Sequence, residues 1–259
     1  MRAKRRQFWL LLALGMIGLV SIAIAAAPVA QQQAEAIPDF PRLPLAVFGL
    51  LAVIQPTILL VLAVWIGVTL APRLGLRSHI AEWASGRTPV WAPLRKELPL
   101  AVAIGMATGL VVAALDALVQ PAMMSALKQG GVRPGGIVVE TVSGILYGGI
   151  TEELMTRWGL MSLITWVGGR VFQRDALPPR DVVFWAALTI TAAVFGAGHL
   201  RAMKTAANLT PIVVVRTIGL NALAAIAYGW LYWRRSLESA MIAHASTHVV
   251  FAVAQALGA

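Results

Sequence analysis

The chain of 259 residues contains no cysteine, which excludes disulfides, thiolate metal sites and cysteine nucleophiles. Charge is scarce as well. Only 12% of residues are Asp, Glu, Lys or Arg, about half the share usual in a soluble domain, typically about 25%. Lysine is almost missing: Lys4, Lys96, Lys128 and Lys204 are the whole set. There is no Gly-rich phosphate loop, no G-x-S-x-G elbow, no internal repeat and no period-2 alternation of the kind a membrane barrel needs. What is abundant is apolar side chain, 59% of the chain, with a mean hydropathy of +0.78. A soluble globular domain and a disordered chain are both excluded by these values.

Apolar runs long enough to span a bilayer, about 20 residues each, cover 8–27, 45–70, 98–119, 137–167, 183–200, 211–233 and 238–257. They predict an all-α, polytopic membrane helical bundle of about seven transmembrane helices, forming one integral membrane domain over 1–259. The first run follows Arg2, Lys4, Arg5 and Arg6 and precedes alanines near Ala25–Ala27. It is longer than a signal-peptide core of roughly 7–15 residues, which favours an uncleaved first span over a signal peptide. The longest polar stretch, 71–97, carries Trp83 and Trp91 and reads as an interfacial loop or short amphipathic helix. Most tryptophans read as interface anchors.

The formal charge of +10 reports orientation rather than a nucleic-acid partner, because the basic residues sit between apolar runs. With the N-terminus inside, the inner segments carry Arg2, Lys4, Arg5, Arg6, Arg73, Arg77, Arg87, Arg95, Lys96, Arg170, Arg174, Arg180, Arg234 and Arg235. The outer segments carry Arg42, Lys128, Arg133, Arg201 and Lys204. This asymmetry predicts a cytoplasmic N-terminus. The bias of Arg over Lys and the many alanines point to a bacterial inner membrane.

Ionisable groups within spans are costly and mark function by default. They concentrate at Glu152, Glu153, Arg157, His199, His244 and His248. Glu153 and Arg157 are i,i+4 neighbours suited to an ion pair, while Glu152 points elsewhere and suits a general base. The alternative is an ion-pair network that only fixes helix packing. His199 follows Phe195-Gly196-Ala197-Gly198. His244 and His248 share a helix face and could present two imidazoles to one metal, or bond to neighbouring helices. Gly105–Gly109 and Gly144–Gly148 allow close helix approach, the second pair one turn before the glutamates. Asp116 and Glu140 read as interfacial, Arg216 as snorkelling, and Asn221 as an interhelical donor.

The ordered set Glu152-Glu153…Arg157, Phe195…His199 and His244-Ala245-Ser246-Thr247-His248, with Gly229-Trp230-Leu231-Tyr232-Trp233-Arg234 before the third segment, resembles the CPBP family. This family is also known as the Abi or type II CAAX prenyl endopeptidase family of intramembrane metalloproteases. The resemblance covers roughly 137–257; the first spans share only its hydropathy. It implies an intramembrane endopeptidase acting on a membrane-associated peptide or protein. By that likeness Glu152 activates water, His199 helps to hold it, and His244 with the fourth position polarises the scissile carbonyl. Glu153, Arg157 and Phe195 support the site. If a metal is used, Glu152, His199, His244 and His248 would hold zinc; a metal-free glutamate mechanism is the other option the pattern allows. His248 stands where the family usually has Asn, and can still donate from a ring nitrogen. A non-catalytic scaffold or immunity-type protein of the same fold, and a proton or metal transporter, are the competing expectations. Counting along straight spans places Glu152 and His244 in the inner half of the bilayer and His199 in the outer half, so a single site requires a tilted, displaced or broken helix.

Overall fold

The computed structural model describes residues 2–35, 37–127, 136–173 and 178–258. Lys128, Arg133 and Arg174, used above for orientation, lie outside the described residues. The helices are α1 (Arg2–Glu35), α2 (Leu45–Leu70), α3 (His79–Ala84), α4 (Trp91–Met123), α5 (Gly136–Ser143), α6 (Ser162–Gln173), α7 (Asp181–Gly198), α8 (Leu200–Ala206), α9 (Pro211–Arg234) and α10 (Leu237–Ala256). Between α5 and α6 the chain stays helical through wide π turns over Gly144–Glu152 and Leu154–Met161, so 136–173 forms one motif helix. No strand occurs among the described residues. Among the described residues six helices are long and apolar enough to cross a membrane: α1, α2, α4, α7, α9 and α10, some with short extensions. With the motif helix they form the expected all-α polytopic bundle. The first crossing helix is longer than the run 8–27 and keeps Pro28 inside it.

Since a lipid-facing surface needs no polar residues, amphipathicity is weak and burial follows side-chain size instead. Long apolar side chains such as Leu50, Ile58 and Leu118 are exposed, as expected where lipid replaces water. The core is built where small residues let backbones meet. A side-chain carbon added at Gly105 of α4 would collide with the backbone of Ala243 on α10. Gly144 and Gly148 likewise leave room for the imidazoles of His248 and His244. The second G-x-x-x-G pair thus brings the motif helix against α10, as its spacing suggested. Trp158 departs from the tryptophan expectation. It is buried in the core against Tyr232, with ring centroids 6.3 Å apart, whereas Trp9, Trp65 and Trp91 are exposed.

Three polar expectations change. Arg216 does not snorkel alone, and Asp116 is not simply interfacial: the two pair between α9 and α4, with Arg216 Nη2 2.5 Å from Asp116 Oδ1. A charge in hydrocarbon is cheaper paired than extended toward water. Asn221 donates to the carbonyl of Thr217 one turn back at 2.8 Å, within its own helix rather than to a neighbour. The stretch 71–97 is a 3₁₀ turn (Ala71–Leu74), α3 and the start of α4, and it is stapled to α1 and α10. Gln7 of α1 donates to the carbonyl of Ala81 and the hydroxyl of Ser85. Ser78, His79 and Ile80 donate to Glu238.

Candidate active site

The motif helix, α7, α9 and α10 supply every residue of the site. Thr151 is buried and donates to the carbonyl of Gly15 at 2.7 Å, which ties the motif helix to α1 just before the two glutamates. The wide turns rotate these residues relative to a regular helix, and such turns recur at functional sites. Glu153 faces inward and is wholly buried. Glu152 is partly exposed and faces His199 at the end of α7.

Glu153 is the organising residue. Arg157 Nη1 lies 3.1 Å from its Oε1, the expected i,i+4 pair. His244 Nδ1 lies 2.8 Å from the same oxygen, a bond the sequence did not reveal because it joins residues 91 positions apart. Arg157 also donates to the carbonyl of Ala225 on α9 at 3.0 Å. Its guanidinium sits over the rings of Phe195 at 5.1 Å and Tyr228 at 5.5 Å, a desolvated cation–π arrangement. Tyr228 stacks on His244 with centroids 4.6 Å apart and donates to Thr247, which in turn donates to the carbonyl of Gly105. Tyr228 and Thr247 were not anticipated as site residues. The only cue in the sequence is that both fall one face away from motif positions.

His199 caps the end of α7, where the chain turns into α8. Its Nδ1 lies 2.8 Å from the carbonyl oxygen of Phe195. A carbonyl only accepts, so Nδ1 carries the proton and the neutral ring offers a lone pair at Nε2. That Nε2 stands 4.0 Å from Oε1 of Glu152, the two side chains 32% and 16% exposed. These are the accessible members of the site; Glu153, Arg157 and His244 behind them are dry. His199 and Glu152 meet despite the separation that counting along straight spans gives. Phe195 lies between His199 and His244, 4.6 and 6.1 Å from them, and so joins the two halves of the site.

His248 is placed differently. Its ring lies nearly parallel to that of His244, 5.1 Å away at 18°, with Phe251 edge-on at 5.8 Å. Parallel rings aim their in-plane lone pairs along parallel lines rather than at one point. His199 and His244 each commit Nδ1, to a carbonyl and to Glu153. Among the described residues no three His, Asp or Glu side chains form a group that could hold a metal ion. The donor set as arranged does not fit zinc, and no step below passes through a metal.

Residues 134–250 match the family described as Type II CAAX prenyl endopeptidase Rce1-like. This stretch is similar to the Rce1-like family. It contains Glu152, Glu153, Arg157, Phe195, His199, His244 and His248, and its limits lie close to the expected 137–257. The matched stretch begins after α4, so α1 to α4 stand outside it and contact it through Gly15, Gly105 and the 71–97 segment. The family is one of proteases, matched here in a multi-pass integral membrane protein. No curated protein and no solved structure matches the chain.

Proposed function

We propose that the protein is an intramembrane endopeptidase that hydrolyses a peptide bond of a membrane-associated peptide or protein, with Glu152 as general base. The observation that carries this reading is the partly exposed Glu152–His199 pair, 4.0 Å apart, backed by a dry Glu153–Arg157–His244 cluster. Two acceptors at that separation suit one water that donates a hydrogen bond to each. Both of its lone pairs stay free to attack. Glu152 takes the proton as the water oxygen attacks the scissile carbonyl carbon. It returns that proton to the leaving nitrogen as the C–N bond breaks, giving a carboxylic acid and an amine.

The developing oxyanion needs a donor. Glu153 holds Nδ1–H of His244, so His244 Nε2 donates only when the ring carries a second proton. The bond to Glu153 orients the His244 ring, as a carboxylate does for histidine in the hydrolase triads. Arg157 pairs with Glu153 and is itself held over the rings of Phe195 and Tyr228. His248 backs the face of His244 and holds the ring in its plane. The resemblance to CAAX endopeptidases suggests substrates that carry a prenyl group, and the lipid-facing position of the site suits any acylated or hydrophobic peptide.

The test is cleavage by the purified full chain in proteoliposomes, using synthetic peptides with and without a thioether-linked isoprenoid and mass-spectrometric detection. Glu152→Gln and His199→Ala should each abolish cleavage while the protein inserts normally. A non-catalytic scaffold would show no cleavage even as wild type, and a transporter would show proton or metal flux that Glu152→Gln removes.

A further inference from the structure

A second polar cluster lies at the end of the bundle that carries the N-terminus, away from Glu152. His79 is 1% exposed and its Nε2 contacts Glu97 Oε2 at 3.1 Å. The same oxygen of Glu97 accepts from Ser236 Oγ at 2.5 Å and Ser239 Oγ at 2.6 Å. Glu238, almost wholly buried, accepts from Ser78 Oγ at 2.6 Å and from the backbone N–H groups of His79 and Ile80 at 2.9 and 3.0 Å. Ser236 also caps α10 by accepting from the N–H of Ser239, and Leu237 N–H donates to the carbonyl of Arg77. The first turn of α10 is therefore bonded to the 77–80 segment and to α4 by at least six hydrogen bonds. Two turns further along the same helix is His244.

The charge balance of this cluster depends on one proton. The charged and titratable groups facing His79 are Glu82 on α3, Glu97 on α4 and Glu238 on α10; Arg77 is committed to Glu82 at 3.0 Å. From α1 the neutral Gln7 donates to α3, and the guanidinium of Arg6 sits over the Trp83 ring of α3 at 5.6 Å. His79 is thus the cation between two buried or half-buried carboxylates, and its Nδ1 has no partner among the described residues. With His79 neutral, Glu97 and Glu238 repel each other in a poorly hydrated site, and such uncompensated burial is costly.

We propose that His79, Glu97 and Glu238 form a proton-dependent latch that seats the first turn of α10 and so positions His244 against Glu153. The three are positioning residues, since none touches the reacting atoms. Protonated, the latch holds α10 in register with the motif helix. When His79 loses its proton the first turn of α10 loosens and His244 moves off Glu153. The functional part of this claim rests on the endopeptidase reading above; the structural part does not.

The absence of native cysteine makes the register measurable without cleavage. A carbon added at Gly149 lies 3.1 Å from Cβ of Ala245, slightly inside the range of about 3.5–4.5 Å for a disulfide. The Gly149→Cys/Ala245→Cys pair therefore reports α10 against the motif helix. A carbon added at Gly49 lies 3.6 Å from Cβ of Ala27. The Ala27→Cys/Gly49→Cys pair, between α1 and α2, corrects for the pH dependence of thiol oxidation itself. Cross-linking of the full chain in proteoliposomes with copper phenanthroline is compared at about pH 6 and about pH 9, either side of the ordinary histidine range.

The 149/245 yield, divided by the 27/49 yield, should fall several-fold between the two pH values. With His79→Gln added it should no longer depend on pH, and with Glu238→Gln added it should be low at both. A ratio that is flat with pH in the parent, or unchanged by Glu238→Gln, overturns the latch. In the peptide cleavage assay the latch predicts that Glu238→Gln lowers kcat more than it raises KM, and that His79→Gln alters the alkaline limb of the pH profile. Loss of cleavage in Glu152→Gln together with unaltered kcat and pH profile in both latch variants sinks the latch and leaves the endopeptidase reading standing. A pH-dependent cross-link with no effect of Glu152→Gln on cleavage does the reverse.

Discussion

Glu153 carries more of the site than its neighbour, although Glu152 performs the proposed chemistry. It binds Arg157 and His244 through one oxygen in a fully buried setting. Removing one partner of such a pair strands the other charge, at a cost of about 3–5 kcal/mol. Glu153→Gln should therefore lower the thermal midpoint of the purified protein markedly, whereas Glu152→Gln, at a partly exposed position outside the buried pair, should leave it nearly unchanged. Nano-scale fluorimetry in detergent separates the two. His248→Asn should retain cleavage, because Asn is small enough to stand in the space beside Gly144 and still face His244. A full loss of activity would show that the imidazole itself is required. The pairing of Glu153 with Arg157 was legible from their i,i+4 spacing. The bond to His244 was not, because nothing in a single sequence states which two helices lie side by side.

At the scale of the element, composition identifies helices well and contacts poorly. The apolar runs locate the six helices that, among the described residues, are long and apolar enough to cross, because a helix must fill a fixed bilayer thickness. They do not show the π turns over Gly144–Glu152 and Leu154–Met161, which depend on packing against α1 and α10. Nor do they show the break at His199 that brings α7 to Glu152. The small-residue spacings were more informative. Gly105 faces the backbone of Ala243, so Gly105→Ala should force α4 and α10 apart. The expected loss is about 1–3 kcal/mol, typical of overpacking, and it should appear as a lower thermal midpoint. It should also reduce cleavage, since His244 is the next residue on α10. A neutral result at Gly105 would mean that α10 can shift without harm.

For the whole molecule, most of the few charges fall into three groups, beside the Arg216–Asp116 pair between α9 and α4. The basic residues between spans report orientation, the Glu152 to His248 set forms the proposed site, and the His79 cluster ties 71–97 to α10. The last group was hidden in the sequence, where His79 lay in a stretch read only as interfacial. Burial works against the charged form of His79, but the hydrogen bond to Glu97 and the charges of Glu238, Glu97 and Glu82 outweigh it and raise its pKa above the ordinary value. The folded protein thus holds this proton more tightly than the unfolded chain. The stabilisation is fully present below the ordinary histidine value, about 6.5, and is lost as pH rises through the raised value. The thermal midpoint should fall across that window in wild type and change less in His79→Gln.

The central claim is that Glu152 activates water for peptide hydrolysis. The most direct measurement is cleavage of the prenylated and unmodified peptide set by the full chain in proteoliposomes, wild type against Glu152→Gln, each with and without a strong chelator. General-base loss should cost about 10²–10⁴-fold in rate, so Glu152→Gln should fall to background while its thermal midpoint and insertion match wild type. Wild-type cleavage should be unchanged by the chelator. Cleavage that survives in Glu152→Gln would contradict the account.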